Sequence, residues 1–357
     1  MPCCWLSFVA VVSLLSLSWL YICLISFNDQ EELNATAPFL QFGAVAALTL
    51  ISSFVFQAFH KNKTSLFAVV SAAIFLCPLL IQSPCFIELK DLPEKPKLIA
   101  HRGAPMLAPE NTMMAFERSV TCGVMAFETD VQIKDRIPFL MHDNKNEFLL
   151  RTTNVKESFP ERSITSNMDL TFEEIQNLNA GEWFLKKDPF WSVSQLSEEE
   201  KQTAKNQTVP SLLQLLELAK QHNISVIFDL YQTEKTSTDS GDTAAIVDTI
   251  QKSDINPGLI LWLPPDRRKS VKETAPGFVH IYSNLSEMKI NNDRHLNVKY
   301  SKLSMKRIEL RADNITVNLW VVNERWLFSL LWCVGASSVT TNSCHLLKDV
   351  KQPDWFM

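Results

Sequence analysis

Glycine is scarce, with 8 in 357 residues, and no glycine-rich phosphate loop follows the first soluble strand. That weakens a dinucleotide-binding reading. An excess of one sign of charge is also missing. The formal net charge is −5 with no basic footprint, which argues against nucleic acid as a partner. None of the 8 cysteines stands at a zinc-binding spacing. Charge is absent altogether from three runs, residues 4–27, 37–59 and 65–87. Each is long enough to cross a bilayer core, which takes roughly 20 residues.

These runs predict a transmembrane region over residues 1–87 with three helices. The N-terminal "MPCC" has no positive charge and its apolar run exceeds a signal-peptide core, so the first helix reads as retained. Cys3 and Cys4 are candidates for palmitoylation. "HKNK" (60–63) is basic, whereas "NDQEELNAT" (28–36) is acidic and carries the glycosylation acceptor Asn34. The positive-inside tendency puts the basic loop in the cytoplasm, and three crossings deliver residue 88 onward to the outside or a lumen. Further acceptor tripeptides begin at Asn206, Asn223, Asn284 and Asn314. In an oxidising space Cys85, Cys122, Cys333 and Cys344 allow three disulfide pairings, among which the sequence does not choose.

After a linker over 88–96, short apolar runs alternate with helical patterns through residues 97–357. The strand-like runs are "KLIAHRG", "AFETDVQI", "IPFLMHD", "ISVIFDLY", "LILWL", "FVHIYS", "HLNVKYS", "TVNLWVVN" and "SSVTTN". Residues 144–209 read as a long irregular insertion. This alternation predicts an α/β fold with a parallel sheet, a closed (β/α)8 TIM barrel ahead of a doubly wound open sheet.

Catalytic groups of such barrels lie at the C-terminal ends of strands, and polar residues gather at those ends here. His101 and Arg102 close the first strand, and His142 ends "PFLMHD". Glu128 and Asp130, two residues apart, project from one face. Asp229 sits on another strand end, and Asn323 ends "NLWVVN" three residues after Trp320. Two same-face carboxylates among apolar neighbours repel, and a hard divalent cation such as Mg²⁺ or Ca²⁺ removes that cost. Asp229 is the candidate third ligand. Arg102 and the metal would neutralise a phosphate, leaving His101 and His142 for proton transfer. Trp320 reads as core or pocket wall, and His222 and His280 read as structural.

The ordered set "HRG", "PENT", "ETDV", "HD", "RTTN" and "WVVN" resembles the glycerophosphodiester phosphodiesterase family over residues 97–350, and within it the multi-pass mammalian subgroup. The resemblance implies a barrel that hydrolyses glycerophosphodiesters, such as glycerophosphocholine or glycerophosphoinositol, with a divalent metal. It implies His101 and His142 as the acid/base pair and Glu128, Asp130 and Asp229 as metal ligands. Arg102 would hold the phosphate, with Glu110 supporting the first loop and Trp320 and Asn323 on the substrate side. Two positions depart from the pattern. Asp229 and Tyr231 stand where many members have Glu and Lys, and Asp135-Arg136 replaces an Asp-Gly turn that tolerates positive φ.

Three functions fit. The first is a membrane-embedded phosphodiesterase for water-soluble glycerophosphodiesters. The second is the same chemistry on lysophospholipid or glycolipid headgroups, for which Trp183, Phe184, Phe190 and Trp191 would form an apolar rim. The third is a catalytically weak barrel acting as a membrane-bound interaction protein.

Overall fold

The computed structural model of the chain describes residues 89–142, 146–230, 240–302 and 314–353. The three uncharged runs, Cys3, Cys4, Asn34, Cys85 and Tyr231 lie outside the described residues. Among the described residues no helix is long and apolar enough to cross a membrane.

Among the described residues nine strands form one sheet. They are β1 (Lys97–His101), β2 (Ala126–Lys134), β3 (Ile137–Leu140), β4 (Ser225–Leu230), β5 (Ile260–Trp262), β6 (Val279–His280), β7 (His295–Lys299), β8 (Thr316–Trp320) and β9 (Ser338–Thr341). Eight of them run parallel in the order β6-β5-β4-β2-β1-β9-β8-β7, while β3 folds back antiparallel on β2. The two ends of this path meet. Tyr282 N–H donates to His295 O at 2.9 Å, and Asn297 N–H donates to Tyr282 O at 2.8 Å. The sheet is therefore a nearly closed barrel, not the open doubly wound sheet that was the alternative.

Twelve helices accompany it among the described residues. α1 (Met113–Val120) follows β1, and α2 (Asn146–Thr152), α3 (Val155–Ser158), α4 (Phe172–Gln176), α5 (Glu182–Lys187) and α6 (Glu198–Lys205) follow β3. Then come α7 (Leu212–His222), α8 (Ser240–Lys252), α9 (Arg268–Thr274), α10 (Leu285–Ile290), α11 (Arg325–Cys333) and α12 (Cys344–Leu347). The α7 helix shows how the sequence sets these boundaries. Ser211 and Gln214 form a capping box at its start, and Asn223 takes a left-handed cap at φ 53°. Between them Leu212, Leu215, Leu216 and Ala219 make the stripe that packs on the sheet.

Period-two alternation sorts each strand into two faces. Leu98, Ala100, Phe127, Val226 and Phe228 join the α7 leucines in the main core between sheet and helices. Ile99, Ala126, Ile227 and Ile281 form a separate cluster on the opposite face, inside the barrel. The stretch expected to be irregular carries helices α2 to α6, the first part packed round Phe139, Leu149, Ile175 and Leu178. The β2–β3 turn sets both Asp135 and Arg136 at positive φ, 53° and 64°, so arginine occupies a position that suits glycine. Cys122, just beyond α1, is disulfide-bonded to Cys344 at the start of α12, 222 residues apart.

Candidate active site

The face that carries Ile99, Ala126 and Ile227 also carries, two residues on, His101, Glu128 and Asp229. Asp130 is the Cα partner of Asp229 across the β2–β4 pair. All four therefore point into the C-terminal mouth of the barrel. The chain then turns sharply, with Arg102 at φ 50° and Gly103 at φ 83°. Gly103 is required there, since an added Cβ would sit 2.6 Å from Ala115 Cβ. The turn aims the Arg102 backbone N–H at Glu128 Oε2, 3.1 Å away.

Arg102 ties the mouth together. Its Nε lies 3.0 Å from Asp130 Oδ2 and its Nη1 3.3 Å from Glu110 Oε1. Glu110 also accepts from Arg151 Nη2 at 2.8 Å. Burial opposes the charge on Glu110, but Arg102 and Arg151 outweigh it and hold the carboxyl below its ordinary range. Asn111 Nδ2 donates to Asp130 Oδ2 at 3.1 Å while its own Oδ1 accepts from Thr129 Oγ1 at 2.8 Å.

The two histidines face the same acids. His101 Nε2 is 3.9 Å from Glu128 Oε2, and His142 Nε2 is 4.0 Å from Asp130 Oδ1. His101 Nδ1 meets Asn342 Oδ1 at 2.6 Å, so Nδ1 carries the proton and Nε2 presents its lone pair to the mouth. Burial, and then the Arg102 charge, push His101 down to about 4, against the pull of Asp130. His142 is placed by a buried amide. Gln132 Nε2 donates to both Met141 O and His142 O at 3.0 Å, and Gln132 is itself held by Asn167.

Burial, with Asp130 and then Asp229 as like charges, pushes Glu128 well above the ordinary carboxylate range. Burial and Asp130 push Asp229 up to about 6. Among the described residues, no group of three or more His, Cys, Asp or Glu side chains is arranged to hold a metal ion. The donors nevertheless fit a hard cation in kind. They are carboxylate oxygens on one face of β2 and β4, and the like-charge repulsion is what a divalent ion would relieve.

The remaining predicted residues sit as follows. Trp320 ends β8 half-buried. Asn323 Oδ1 accepts from the Asn342 backbone N–H at 2.8 Å, one step behind His101. Of the aromatic residues expected to form a rim, Phe184 is fully buried and Trp183 lies under Arg151, whereas Trp191 is 86% exposed. Asn206, Asn223, Asn284 and Asn314 are all exposed. Asn111 and Arg151 stand in the motifs "PENT" and "RTTN" but were given no role from sequence, and Asn342 and Gln132 were not singled out. Asn342 directly follows β9, so the strand-end rule that marked His101 would have marked it too.

The model of the glycerophosphoryl diester phosphodiesterase family matches residues 101–351, and the chain belongs to that family. It is 44% identical over 339 residues to glycerophosphoinositol inositolphosphodiesterase GDPD2 of Mus musculus, a match covering 91% of this chain and 62% of that one. It is 40% identical over 340 residues to human glycerophosphodiester phosphodiesterase domain-containing protein 5, covering 91% and 56%. The chain thus spans less than two thirds of the length of these curated relatives. The barrel is also shared with an Oleispira antarctica phosphodiesterase solved with its product sn-glycerol-3-phosphate, at TM-score 0.56 and 21% identity over 71% of this chain and 95% of that one. A Parabacteroides distasonis glycerophosphodiester phosphodiesterase superposes at TM-score 0.55 with 19% identity, covering 72% and 97%.

Proposed function

We propose that this chain hydrolyses glycerophosphodiesters through His101 and His142. The observation that carries the reading is that both Nε2 atoms and the Arg102 guanidinium converge on the Glu128–Asp130 edge of β2 at the barrel mouth. A phosphodiester bound there meets Arg102 as its counter-charge. Neutral His101, its Nδ1 proton held by Asn342, accepts a proton at Nε2 from the attacking water. As the new P–O bond forms, one ester P–O bond breaks, and His142 delivers a proton to the departing alkoxide. Glu128, Asp130 and Asp229 are the residues that would hold Mg²⁺ or Ca²⁺. When bound, the cation supplies charge stabilisation at the phosphoryl oxygens. Asn342 holds the His101 ring, and Gln132 holds the chain at His142 through its backbone carbonyl.

The surroundings fit a lumenal or extracellular domain on a membrane anchor. Four exposed acceptor asparagines and the Cys122–Cys344 bridge suit an oxidising, glycosylating compartment, and the three uncharged runs supply the anchor. A second reading, hydrolysis of lysophospholipid or glycolipid headgroups, is favoured by the exposed Trp191 in the segment after β3.

The test is turnover of glycerophosphocholine and glycerophosphoinositol by the purified full chain with Mg²⁺ or Ca²⁺, in solution and in micelles. His101→Ala and His142→Ala are expected to abolish turnover. Full activity in either would overturn the acid/base assignment.

A further inference from the structure

Single exposed apolar side chains are ordinary on a protein surface, and a cluster in register is not. Among the described residues seven large hydrophobic side chains are exposed, and three of them, Leu330, Val334 and Leu346, stand on α11 and α12 or at their ends. Leu330 and Val334 are four residues apart, and half-buried Trp326 stands four residues before Leu330. The three therefore form one stripe along α11. Leu346 is contributed by α12, which packs against α11. Residues 326–334 carry no charge. Leu327, Phe328, Leu331 and Trp332, on the inner side of the helix, already fill the main core. A helix that is apolar all round is ordinarily covered on every side, and α11 is covered on one.

The chain that precedes β1 shows what lies close to the open side. Trp332 Nε1 donates to Pro93 O at 2.7 Å, and Lys95 Nζ donates to Lys348 O, just beyond α12, at 2.6 Å. The linker is thus pinned to the same two helices. The third uncharged run ends at Ile87, six residues before Pro93, and six residues reach at most about 22 Å. A bilayer that holds this run is therefore kept within that reach of α11. Lipid also suits the size of the patch. Four side chains fall far short of the roughly 20–30 residues a side of a stable protein interface. A lipid surface sets no such minimum, and an apolar helix face with an indole at one end settles about 5–10 Å into the headgroup boundary. We infer that the α11–α12 face rests on the phospholipid surface of the bilayer that holds the anchor, through Trp326, Leu330, Val334 and Leu346. The inference takes its bilayer from the anchor reading and is independent of the catalytic one.

The test uses the full chain reconstituted in phosphatidylcholine vesicles with bromine on the upper acyl chain, which quenches tryptophan at that depth. Leu330→Trp adds an indole to the stripe. Leu213→Trp adds one at equal exposure on α7, which leads into β4, four strands from β8 round the barrel. Relative to wild type, the emission added by Leu330→Trp is expected to be mostly quenched, and that added by Leu213→Trp untouched. Combining Val334→Glu and Leu346→Glu with Leu330→Trp should restore the emission at an unchanged melting temperature, because buried charge is costly. Alkaline washing then separates the inference from the anchor reading, since it strips surface-bound protein and leaves spanning segments in place. Selective quenching in a chain that washes off would support the inference and count against the anchor. A chain that resists washing with its Leu330→Trp emission unquenched would overturn the inference and leave the anchor standing. Equal quenching of the two added indoles, quenching that survives the glutamates, or a chain that stays off the vesicles would overturn it too. So would unquenched emission in a chain that light scattering shows to be a dimer, for a second copy would then cover the stripe.

Discussion

Two histidine–arginine pairs in this barrel look alike but sit in different surroundings. His101 lies beside Arg102 inside the mouth, and His280 lies beside Arg268 on the other face of the sheet, under the helices. Burial first, and the neighbouring arginine second, push each imidazole down to about 4. Each arginine also organises the chain that follows a strand. Arg102 O accepts from Asn111 N–H at 3.0 Å after β1, while Arg268 donates to Trp262 O at 3.2 Å and Leu263 O at 2.7 Å after β5. The surroundings separate them. Arg102 faces Glu110 and Asp130 in a mouth that His101 and His142 share. The Arg268 guanidinium lies 4.1 Å from the ring centre of fully buried Tyr282, and His280 Nδ1 is 3.4 Å from its Nη1. A depressed histidine pKa therefore marks burial beside a cation, and only geometry distinguishes a pair that faces the mouth from a packed one.

The sharpest way to break this comparison is to remove each histidine in turn. His101→Ala should cost about 10³-fold or more in kcat, the range for loss of a general base, with little change in melting temperature. His280→Gln should leave kcat nearly untouched, because no reacting atom lies on its face of the sheet. Equal losses of activity in the two variants would show that both act through stability and would remove His101 from the chemistry.

The arginines give the next effect. Arg102→Lys keeps a charge but loses the planar fork that reaches Glu110 and Asp130 together, and should lower kcat/KM by about 10²-fold. Arg268→Met strips two backbone carbonyls of their donor and the Tyr282 ring of the nearer of its two cations. It should cost about 2–4 kcal/mol of stability, read as a lower melting temperature at unchanged kcat/KM per folded molecule. A fall in kcat/KM for Arg268→Met would place the β5 loop in the catalytic mouth.

The same contrast explains what was legible in the sequence. Buried parallel strands read as apolar runs, and each candidate site residue interrupts such a run at its end, as His101, Glu128, His142 and Asp229 do. His280 also stands in a strand, but alternation sets it on the Tyr282 face, which agrees with its structural reading. Neutral amides were harder to find. Asn111 and Asn342 hold side chains, Gln132 holds the backbone carbonyls of Met141 and His142, and nothing in an isolated amide says which group it will hold. The helices between β3 and α7 escaped because each spans 4 to 8 residues, too short for periodicity to show. Their capping boxes at Thr171–Glu174 and Ser197–Glu200 were the available signal. Pairing Cys122 with Cys344 needed the fold, since the two approach only once α1 and α12 have packed at β1.

The smallest effect is a slope with pH, and it falls on the packed pair. Folded His280 titrates near 4 and an unfolded histidine near 6.5. Between those values the unfolded chain binds more protons, so stability rises with pH across this window and is lost as pH falls from 6.5 toward 4. Below about 4 both forms are protonated and the loss stops growing; above 6.5 both are neutral. Other groups titrate in the same window, with His101 adding to the slope and the raised carboxyl of Asp229 opposing it. The measurement is therefore a difference. Melting temperature from pH 4 to 7 should fall less steeply toward acid in His280→Gln than in the wild type, and the two curves should run parallel above pH 6.5. Parallel curves throughout would mean that His280 keeps its proton on folding. The packed pair would then hold two positive charges side by side, with Glu287, 3.9 Å from Arg268 Nε, and Asp293 as the carboxylates that face it.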